Sequence, residues 1–431
     1  MKKTKTIVAA IAGTILEFYD ITLYGFFSTH FASLFFPSAH PSTSLMLSLG
    51  AFAAGFLMRP LGGVFFGYIG DKYGRKKALV VAILLVTFPT VSIGLLPSYA
   101  QIGILAPLLL VFCRLLQGFC VGGEYSGAVV FITEQAEKKR IGFAGSLLCA
   151  TAFVGAIIGS GMGALCTASF MPSWGWRIPF LMGGVFGLAA YLSRKQIQET
   201  SQFSKLQHEN QISRFPLREV FKKKKLGLLC TIALGASVQV PFYIASLYMQ
   251  VLLTIQLSVP ASHALLTNTG VMVLWMILLP IAGILSDRIG AIKLMSLSAL
   301  AVMLSAYPLF LLLEVSLSLK TVLCVQGILT LAGVGLMGGL PGFIPQLFSV
   351  GERVSGTAVG LSLGQALISG VTPLVATALV TWTGDFKAPA FYLMFTSLVG
   401  YTAVKGAGIL MSPKKREDLP SRDLTHPHLA T

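Results

Sequence analysis

Apolar runs of about twenty residues recur along the whole 431-residue chain, and each can cross a bilayer core of roughly 30 Å as a helix. Only 11% of the residues are charged, whereas a soluble globular domain carries about 25%. So little charge cannot cover a water-facing surface of this size. The runs do not alternate every second residue, which disfavours a β-barrel. The sequence therefore predicts an all-α membrane protein.

Twelve transmembrane helices are predicted, in two pseudo-symmetric bundles of six. They span residues 8–36, 43–70, 78–97, 101–133, 141–168, 177–193, 226–254, 262–286, 291–313, 320–349, 355–383 and 388–411. One long polar, basic stretch at 194–225 separates an N-terminal bundle (1–193) from a C-terminal bundle (226–411). Residues 412–431 form a short polar tail, which we expect to be disordered.

The net charge of +16 indicates topology rather than nucleic-acid binding. Most lysines and arginines fall at the N-terminus, in every second loop or in the tail, which is the positive-inside pattern. Only Arg177, Lys320 and Lys387 fall on the opposite side, and Arg59 and Arg114 lie inside helices. We therefore expect a multi-pass protein of a bacterial inner membrane with both termini in the cytoplasm.

Neither a cleaved leader nor a metal site is predicted. The opening basic residues imitate a signal peptide, but the apolar run continues past Glu17 and Asp20 to Phe36, which indicates an uncleaved first helix. The six cysteines lie in apolar segments without paired spacing, and the six histidines show no metal or haem pattern. The cysteines are at positions 113, 120, 149, 166, 230 and 324.

A glycine- and aspartate-bearing basic loop, Gly67–Lys77 (GYIGDKYGRKK), follows helix 2. Its glycines allow close helix approach and a turn, and Asp71 can cap a helix end and pair with Arg75. A second copy, Gly283–Gly290 (GILSDRIG), follows helix 8. Similar loops at equivalent helix ends indicate a duplicated six-helix unit.

Helix 4 carries an arginine in the middle of an apolar run. Arg114, Gly118 and Gly122 share one helix face, and Glu124 follows. An arginine within a membrane should face the bundle interior near a partner. This pattern resembles the helix 4 motif of the major facilitator superfamily, and the resemblance implies a part in proton coupling for Arg114 and Glu124. Static helix packing is the alternative for the arginine.

Helix 1 carries two carboxylates one turn apart, Glu17 and Asp20. Both cannot be ionised cheaply in an apolar setting, so one is a candidate proton carrier near neutral pH. Arg59, deep in helix 2, is the natural counter-ion, and a static buried ion pair is the alternative. Helix 7 offers polar groups near a break that we expect at Pro241. The predicted substrate-binding residues are Tyr19, Tyr24, Arg59, Gln239 and Tyr243.

The loop after helix 2 resembles the signature loop of the major facilitator superfamily, and Asp287-Arg288 resembles its degenerate second copy. In that family the loop is a latch between the halves on the cytoplasmic side. The resemblance assigns latch roles to Gly67, Gly70, Asp71, Gly74, Arg75, Lys76, Glu134, Arg140, Asp287, Arg288 and Arg353. Ala291-Ile292 replaces the basic pair of the second copy, so we expect an asymmetric latch. The alternative to a latch role for Glu134, Arg140 and Arg353 is that they are solvated surface charges.

Four segments are together similar to the metabolite:proton symporter family: 17–20 (EFYD), 59–63 (RPLGG), 122–125 (GGEY) and 174–180 (WGWRIPF). Its members move osmolytes such as proline and glycine betaine, or carboxylates such as 2-oxoglutarate, citrate and shikimate. Segments 370–374 and 389–394 resemble the osmolyte branch, and 56–60 resembles the 2-oxoglutarate branch. The resemblance implies proton-coupled import of a small polar metabolite by alternating access, with an osmolyte favoured.

Other functions are less well supported. Gly360–Gly364 matches the G-x-S-x-G pattern of hydrolases but lies within helix 11 with no strand before it, so an enzyme is not predicted. The sequence has no G-x-x-x-x-G-K-[ST] motif for ATP. A monomer without a cofactor is expected. A proton-antiport exporter or a transport-incompetent sensor on the same fold remain alternatives.

Overall fold

The N-terminal half of the protein is a bundle of six long helices. A computed structural model describes residues 2–166 and 170–411, with side chains from Ala10 onward except those of residues 41, 42, 255, 261, 262 and 265. The first six helices are α1 (Lys2–Phe35), α2 (Pro41–Lys72), α3 (Arg75–Leu95), α4 (Leu105–Gln135), α5 (Ile141–Cys166) and α6 (Arg177–Lys195). A short turn of helix, Tyr99–Ile102, precedes α4.

Six further long helices form the C-terminal half. The unbroken ones are α8 (Ala261–Ile289), α9 (Ala291–Val315), α10 (Leu319–Phe343) and α12 (Ala388–Met411). Helix α7 consists of Lys225–Ser237, Val240–Tyr243, a wide turn at Ile244–Tyr248, and Met249–Ile255. Helix α11 consists of Arg353–Leu367 and Thr372–Thr383, joined by Ser369–Val371.

The predicted fold of twelve membrane helices is confirmed. Among the described residues, ten of the helical stretches are long and apolar enough to cross a bilayer. The other two helices are α1 and α6. Each predicted helix overlaps an observed one, with ends that differ by a few residues. The largest difference in kind is in α11, where the sequence predicts a continuous helix and the structure shows a break. The break of α7 lies at Pro241, where the sequence predicts one.

The breaks in α7 and α11 follow from local chemistry. Proline lacks the backbone N–H that an α-helix needs, and Pro241 and Pro373 stand at the broken parts of the two helices. The turn at Ile244–Tyr248 has the π-helical width that often occurs at functional sites. Side chains of neighbouring helices bind backbone carbonyls at both breaks: Gln326 Nε2 donates to the Ala245 carbonyl at 2.8 Å, and the Tyr392 hydroxyl donates to the Ile368 carbonyl at 3.2 Å.

Glycines bring α2 and α4 into backbone contact. A Cβ at Gly62 would lie 1.7 Å from the Phe119 carbonyl oxygen, and one at Gly118 would lie 1.8 Å from the Gly55 oxygen. No side chain fits at these distances, so the crossing requires glycine. Close approach of small residues is the usual way to pack helices in lipid, where burial of apolar surface gives little driving force.

The two halves meet through α2 with α11 and α5 with α8, at the end that bears the loops after α2 and α8. We call this the basic end. A Cβ at Gly67 would lie 2.7 Å from Ser355 Cα, and one at Gly283 would lie 1.9 Å from Ser146 Oγ. These distances show that the halves are in close contact at the basic end.

The connection between the halves is partly helical and packed. The sequence predicts a plain polar stretch at 194–225, but the structure shows two short helices, Ser201–His208 and Pro216–Lys223. Phe203 and Val220 bury their side chains against the bundle. Arg194, which the sequence assigns to this stretch, lies in the last turn of α6 instead. The predicted tail at 412–431 lies outside the described residues.

Candidate functional site: buried carboxylates and a gate between the halves

The two carboxylates of α1 are buried and incompletely paired. Glu17 and Asp20 are each 2% exposed. In the part of the chain that the structure describes, Glu17 Oε2 and Asp20 Oδ1 have no hydrogen-bond partner. A buried carboxylate oxygen without a partner is costly when the group is charged. Both groups are therefore suited to binding a proton.

Each carboxylate has its own set of charged neighbours. The charges that act on Glu17 come from Glu124, Arg59, Arg194 and Asp20. Asp20 lies instead near Arg114 and within hydrogen-bonding reach of Thr90. The predicted proton-coupling residues thus gather in one buried region of the N-terminal half.

Glu124 is held in a buried ion pair with Arg194. The Glu124 carboxylate accepts two hydrogen bonds from the guanidinium, one of them at 2.6 Å, from Arg194 Nη1 to Oε2. Arg194 also donates to the backbone carbonyls of Leu79 and Ala10, both at 2.9 Å. This geometry favours a structural role for Glu124. The sequence does not predict this ion pair, because an arginine that follows an apolar run usually lies at the membrane surface.

Replacing Glu124 with glutamine should destabilise the protein by about 3–5 kcal/mol, because the change removes the carboxylate that neutralises a buried guanidinium. The apparent Tm in detergent measures the loss. The control is Glu219→Gln, which breaks the surface pair with Lys223 and should cost less than about 1 kcal/mol. Equal Tm values for the two variants would contradict the structural role of Glu124.

Arg114 lies in a polar and aromatic pocket. Its Nη1 donates to Gln117 Oε1 at 2.8 Å, and Gln117 Nε2 donates to Thr90 Oγ1 at 3.1 Å. The guanidinium carbon is 4.2 Å from the centre of the Tyr24 ring, a cation–π distance. Its Nε has no hydrogen-bond partner in the described structure. Arg114 therefore keeps one donor available beside Asp20.

Arg59, in the interior of α2, connects the two halves. Its Nη1 donates to Gln365 Oε1 of α11 at 3.3 Å, and its guanidinium lies 4.0 Å from the Phe56 ring centre. Its Nε is buried without a described partner. Tyr243 of α7 lies near enough to interact electrostatically with Arg59. Gln239, one turn away, has a buried Oε1 without a described partner.

The structure separates the five predicted substrate-binding residues into two groups. Tyr19 donates to the Pro179 carbonyl at 2.6 Å, and Tyr24 donates to the Ser48 carbonyl at 3.2 Å. Both hydroxyls are therefore bound within the N-terminal half, and the Tyr24 ring also lies against the Arg114 guanidinium. Arg59 and Tyr243 interact across the two halves, and Gln239 lies one turn from Tyr243.

Asp71 caps a helix of the opposite half. Its carboxylate accepts hydrogen bonds from Val354 N at 3.1 Å and Ser355 N at 2.8 Å, in the first turn of α11. An aspartate at a helix N-terminus satisfies free N–H groups and complements the helix dipole. Asp71 also pairs with Arg75 at 3.4 Å, as predicted. Gly67 and Gly70 allow α2 to approach α11 here.

Beside this cap lies a group of three charged side chains, Arg75, Glu134 and Arg353, which we call the ion triad. Glu134 Oε1 lies 3.2 Å from Arg75 Nη2 and 2.9 Å from Arg353 Nη1. Arg75 and Glu134 are buried, and Arg353 belongs to the other half. The ion triad therefore strengthens the contact between the halves.

We call the Asp71 cap and the ion triad together the first gate, and the cap that Asp287 of α8 forms on α5 the second gate. The connection between the halves adds contacts to the first gate that the sequence did not predict. Thr200 Oγ1 donates to Glu134 Oε2 at 2.6 Å, and Arg353 Nη1 donates to Gln202 Oε1 at 2.7 Å. Glu199 Oε2 accepts from Lys76 N at 3.1 Å and lies beside Gly74, whose φ is 109°. Burial raises the pKa of the Glu199 carboxyl.

The second gate has the same cap, and the described residues beside it form no ion triad. Asp287 accepts from Gly142 N at 2.7 Å and Phe143 N at 2.8 Å, in the first turn of α5. Asp71 is 1% exposed, whereas Asp287 is an exposed residue, as are Arg288 and Arg140. The predicted asymmetry of the latch is in line with this difference in burial.

Comparison with known proteins places the chain in a family. Residues 10–373 match the family model described as Major Facilitator Superfamily. The Proline/betaine transporter of Salmonella typhimurium is 34% identical over 417 residues, which cover 93% of this chain and 82% of that protein. The glycine betaine/proline/ectoine/pipecolic acid transporter OusA of Dickeya dadantii is 34% identical over 414 residues, covering 92% and 81%.

Solved structures show the same fold at low sequence identity. The proton:xylose symporter XylE bound to 6-bromo-6-deoxy-D-glucose matches with a TM-score of 0.78 and 16% identity, over 94% of each chain. FucP in its outward conformation matches with a TM-score of 0.65 and 15% identity, over 94% of this chain and 99% of that one. The chain belongs to the major facilitator superfamily of membrane transporters.

Proposed function

We propose that this transporter is a proton-coupled symporter that imports an osmolyte zwitterion of the proline or glycine betaine type. The observation that carries the proposal is the pair of buried, incompletely paired carboxylates, Glu17 and Asp20, in the same region as Arg59 and Arg114. Relatives named as proline/betaine transporters support the substrate class. The proton gradient then drives uptake through protonation of these carboxylates.

Arg59 is the proposed anchor for the substrate carboxylate. A guanidinium binds a carboxylate through two parallel hydrogen bonds, and Arg59 has a buried Nε with no described partner. Gln239 and Tyr243 would complete the site from the other half. Because substrate then contacts both halves, its binding favours their closure around it.

A carboxylate such as 2-oxoglutarate is the second candidate, since Arg59 would recognise any carboxylate. Proton-antiport export on the same fold is a third. An uptake panel and the direction of the imposed gradient separate these possibilities. All three candidate functions use the same buried carboxylates. The uptake panel therefore identifies the substrate.

Alternating access follows from the arrangement of the gates. The basic end is the proposed cytoplasmic face, because most lysines and arginines belong on that side of an inner membrane. With this end closed by Asp71, Asp287 and the ion triad, the substrate would enter from the other side. Protonation and binding would then release the gates and open the cytoplasmic side. The protein is proposed to act as a monomer, without ATP.

Uptake into proteoliposomes tests the proposal. With the outside acidic, we expect accumulation of labelled proline or glycine betaine that collapses when a protonophore is added. Arg59→Lys should weaken the apparent affinity for substrate about tenfold or more, because an ammonium cannot form the bidentate contact. Arg214→Lys, at an exposed position, is the matched control.

Citrate, shikimate and 2-oxoglutarate are measured in the same experiment. Accumulation of one of them, without uptake of proline or betaine, would replace the osmolyte by a carboxylate. Accumulation only with the inside acidic would indicate an exporter. Uptake of labelled osmolyte that ignores the gradient altogether would contradict proton coupling.

A further inference from the structure

The second gate lacks the ion triad because all three equivalent positions have changed. Ala291 follows Asp287 at the interval at which Arg75 follows Asp71. A methyl group therefore stands where the first gate has a guanidinium. The pseudo-symmetry of the two halves allows the other two positions to be identified in the same way.

We align the two gates on the first backbone N–H group that each aspartate caps, Val354 in the first gate and Gly142 in the second. Gln346 precedes Val354 by the interval at which Glu134 precedes Gly142. Ile141 immediately precedes Gly142, just as Arg353 immediately precedes Val354. An alanine, a glutamine and an isoleucine thus replace the arginine, glutamate and arginine of the ion triad.

A cavity of about 590 Å³ occupies this part of the second gate, and we call it the gate cavity. Ala291, Gln346 and Ile141 all line it, together with Asp287. In the first gate the corresponding space is filled by Arg75, which is 1% exposed. The gate cavity is therefore the space that the missing ion triad leaves between the halves.

The lining of the gate cavity is cationic. Lys138, Lys293 and Lys405 line it, and Asp287 is its one acidic residue among those that the structure describes. Both oxygens of Asp287 already accept hydrogen bonds from the first turn of α5. The lining therefore has an excess of positive charge, which three exposed lysines carry.

A buried hydroxyl provides an independent sign of a ligand. Ser296 lines the gate cavity and is 5% exposed. Its Oγ has no hydrogen-bond partner within the described ranges. Leaving a buried hydroxyl without a partner costs free energy, and a bound group that accepts a hydrogen bond would remove that cost.

We propose that the gate cavity binds a phosphate group, either free phosphate or the phosphate of an anionic phospholipid. A phosphate has several acceptor oxygens and its negative charge matches lysine donors and a hydroxyl. Basic cavities between membrane helices on the cytoplasmic side are suited to such groups.

The bound phosphate would hold the gate closed. Lys138 belongs to the N-terminal half, whereas Lys293 and Lys405 belong to the C-terminal half. Opening the basic end separates these lysines, so the phosphate binds the closed state more tightly than the open one. By linkage it shifts the population towards the closed state. A bound anion thus takes the place of the glutamate that joins two arginines in the first gate.

Binding is measured on the full-length protein with two probes. Inorganic phosphate is titrated by calorimetry into protein in phosphatidylcholine nanodiscs, at an ionic strength matched with chloride. Retention of phosphatidylglycerol against phosphatidylcholine is measured by native mass spectrometry. For whichever probe binds, the double variant Lys293→Gln/Lys405→Gln should lower the affinity by about tenfold or more, because two charge-assisted contacts are lost. Ser296→Ala should weaken it less.

The matched control is Lys139→Gln, an exposed lysine in the same turn as Lys138 that does not line the gate cavity. It should change the affinity for the probe by less than about twofold. Binding of phosphate alone, or of phosphatidylglycerol alone, supports the proposal and identifies the source. Binding of neither probe, or an equal loss with Lys139→Gln, overturns it. The bound probe should also slow hydrogen exchange at Gly142 and Phe143.

Discussion

Glu17→Gln is expected to abolish proton-driven accumulation of substrate while sparing substrate exchange. Glutamine keeps the size and polarity of the side chain but cannot take up or release a proton. Glu17 has a buried oxygen without a described partner and lies near Arg59, so its charge state can be coupled to the substrate anchor. Accumulation under an imposed pH gradient and exchange without a gradient are measured in the same proteoliposomes.

Asp20→Asn tests the role of the second carboxylate separately from that of Glu17. Asp20 lies near Arg114 and Thr90 rather than near Arg59, so its loss should reduce accumulation and leave substrate affinity less affected. The control is Glu314→Gln, which removes a partly exposed carboxylate paired with Lys387. If both α1 variants accumulate substrate like the control, the proton carrier lies elsewhere.

Asp71→Asn should open the basic end much more readily than Asp287→Asn. Each asparagine loses the charge and one of two acceptor oxygens at a helix N-terminus. Asp71 is buried beside the ion triad, so the loss should cost the closed state about 2–4 kcal/mol. Asp287 is exposed, so its loss should cost about 1 kcal/mol or less.

Hydrogen exchange of the capped amides measures this difference. Asp71→Asn should speed exchange of peptides containing Val354 and Ser355, and Asp287→Asn should speed those containing Gly142 and Phe143 to a smaller extent. Uptake rates should fall in the same order. Glu137→Gln removes an exposed acid at the same end and should change neither measurement. Equal effects of the two aspartate variants would contradict an asymmetric gate.

Several candidate site residues can be recognised from the local sequence alone. Glu17, Asp20, Arg59 and Arg114 stand out because charge inside an apolar helix is costly, and the structure buries all four. The two aspartates of the gates stand out by their repeated position after α2 and α8. Such signals survive in a single sequence because they depend on a residue and its own helix.

Other parts depend on residues that are distant in the chain. Arg194 pairs with Glu124, and Thr200 bonds to Glu134 across the bundle, although each alone reads as an ordinary polar residue near a helix end. Conversely, Tyr19 and Tyr24 look like site residues, but their hydroxyls bond to carbonyls inside the N-terminal half. Whether each of these residues contacts the site depends on the face of the helix on which its side chain lies.

The membrane class, the twelve helices and the duplication can be predicted from the sequence, because apolar length and repeated loops are properties of contiguous segments. Which charges meet depends on how the helices pack. In the structure, Asp71 and Asp287 each cap a helix of the opposite half, and a cavity lies beside Ala291. Ion pairs and cavities form between helices, and their geometry exists only once the helices are packed.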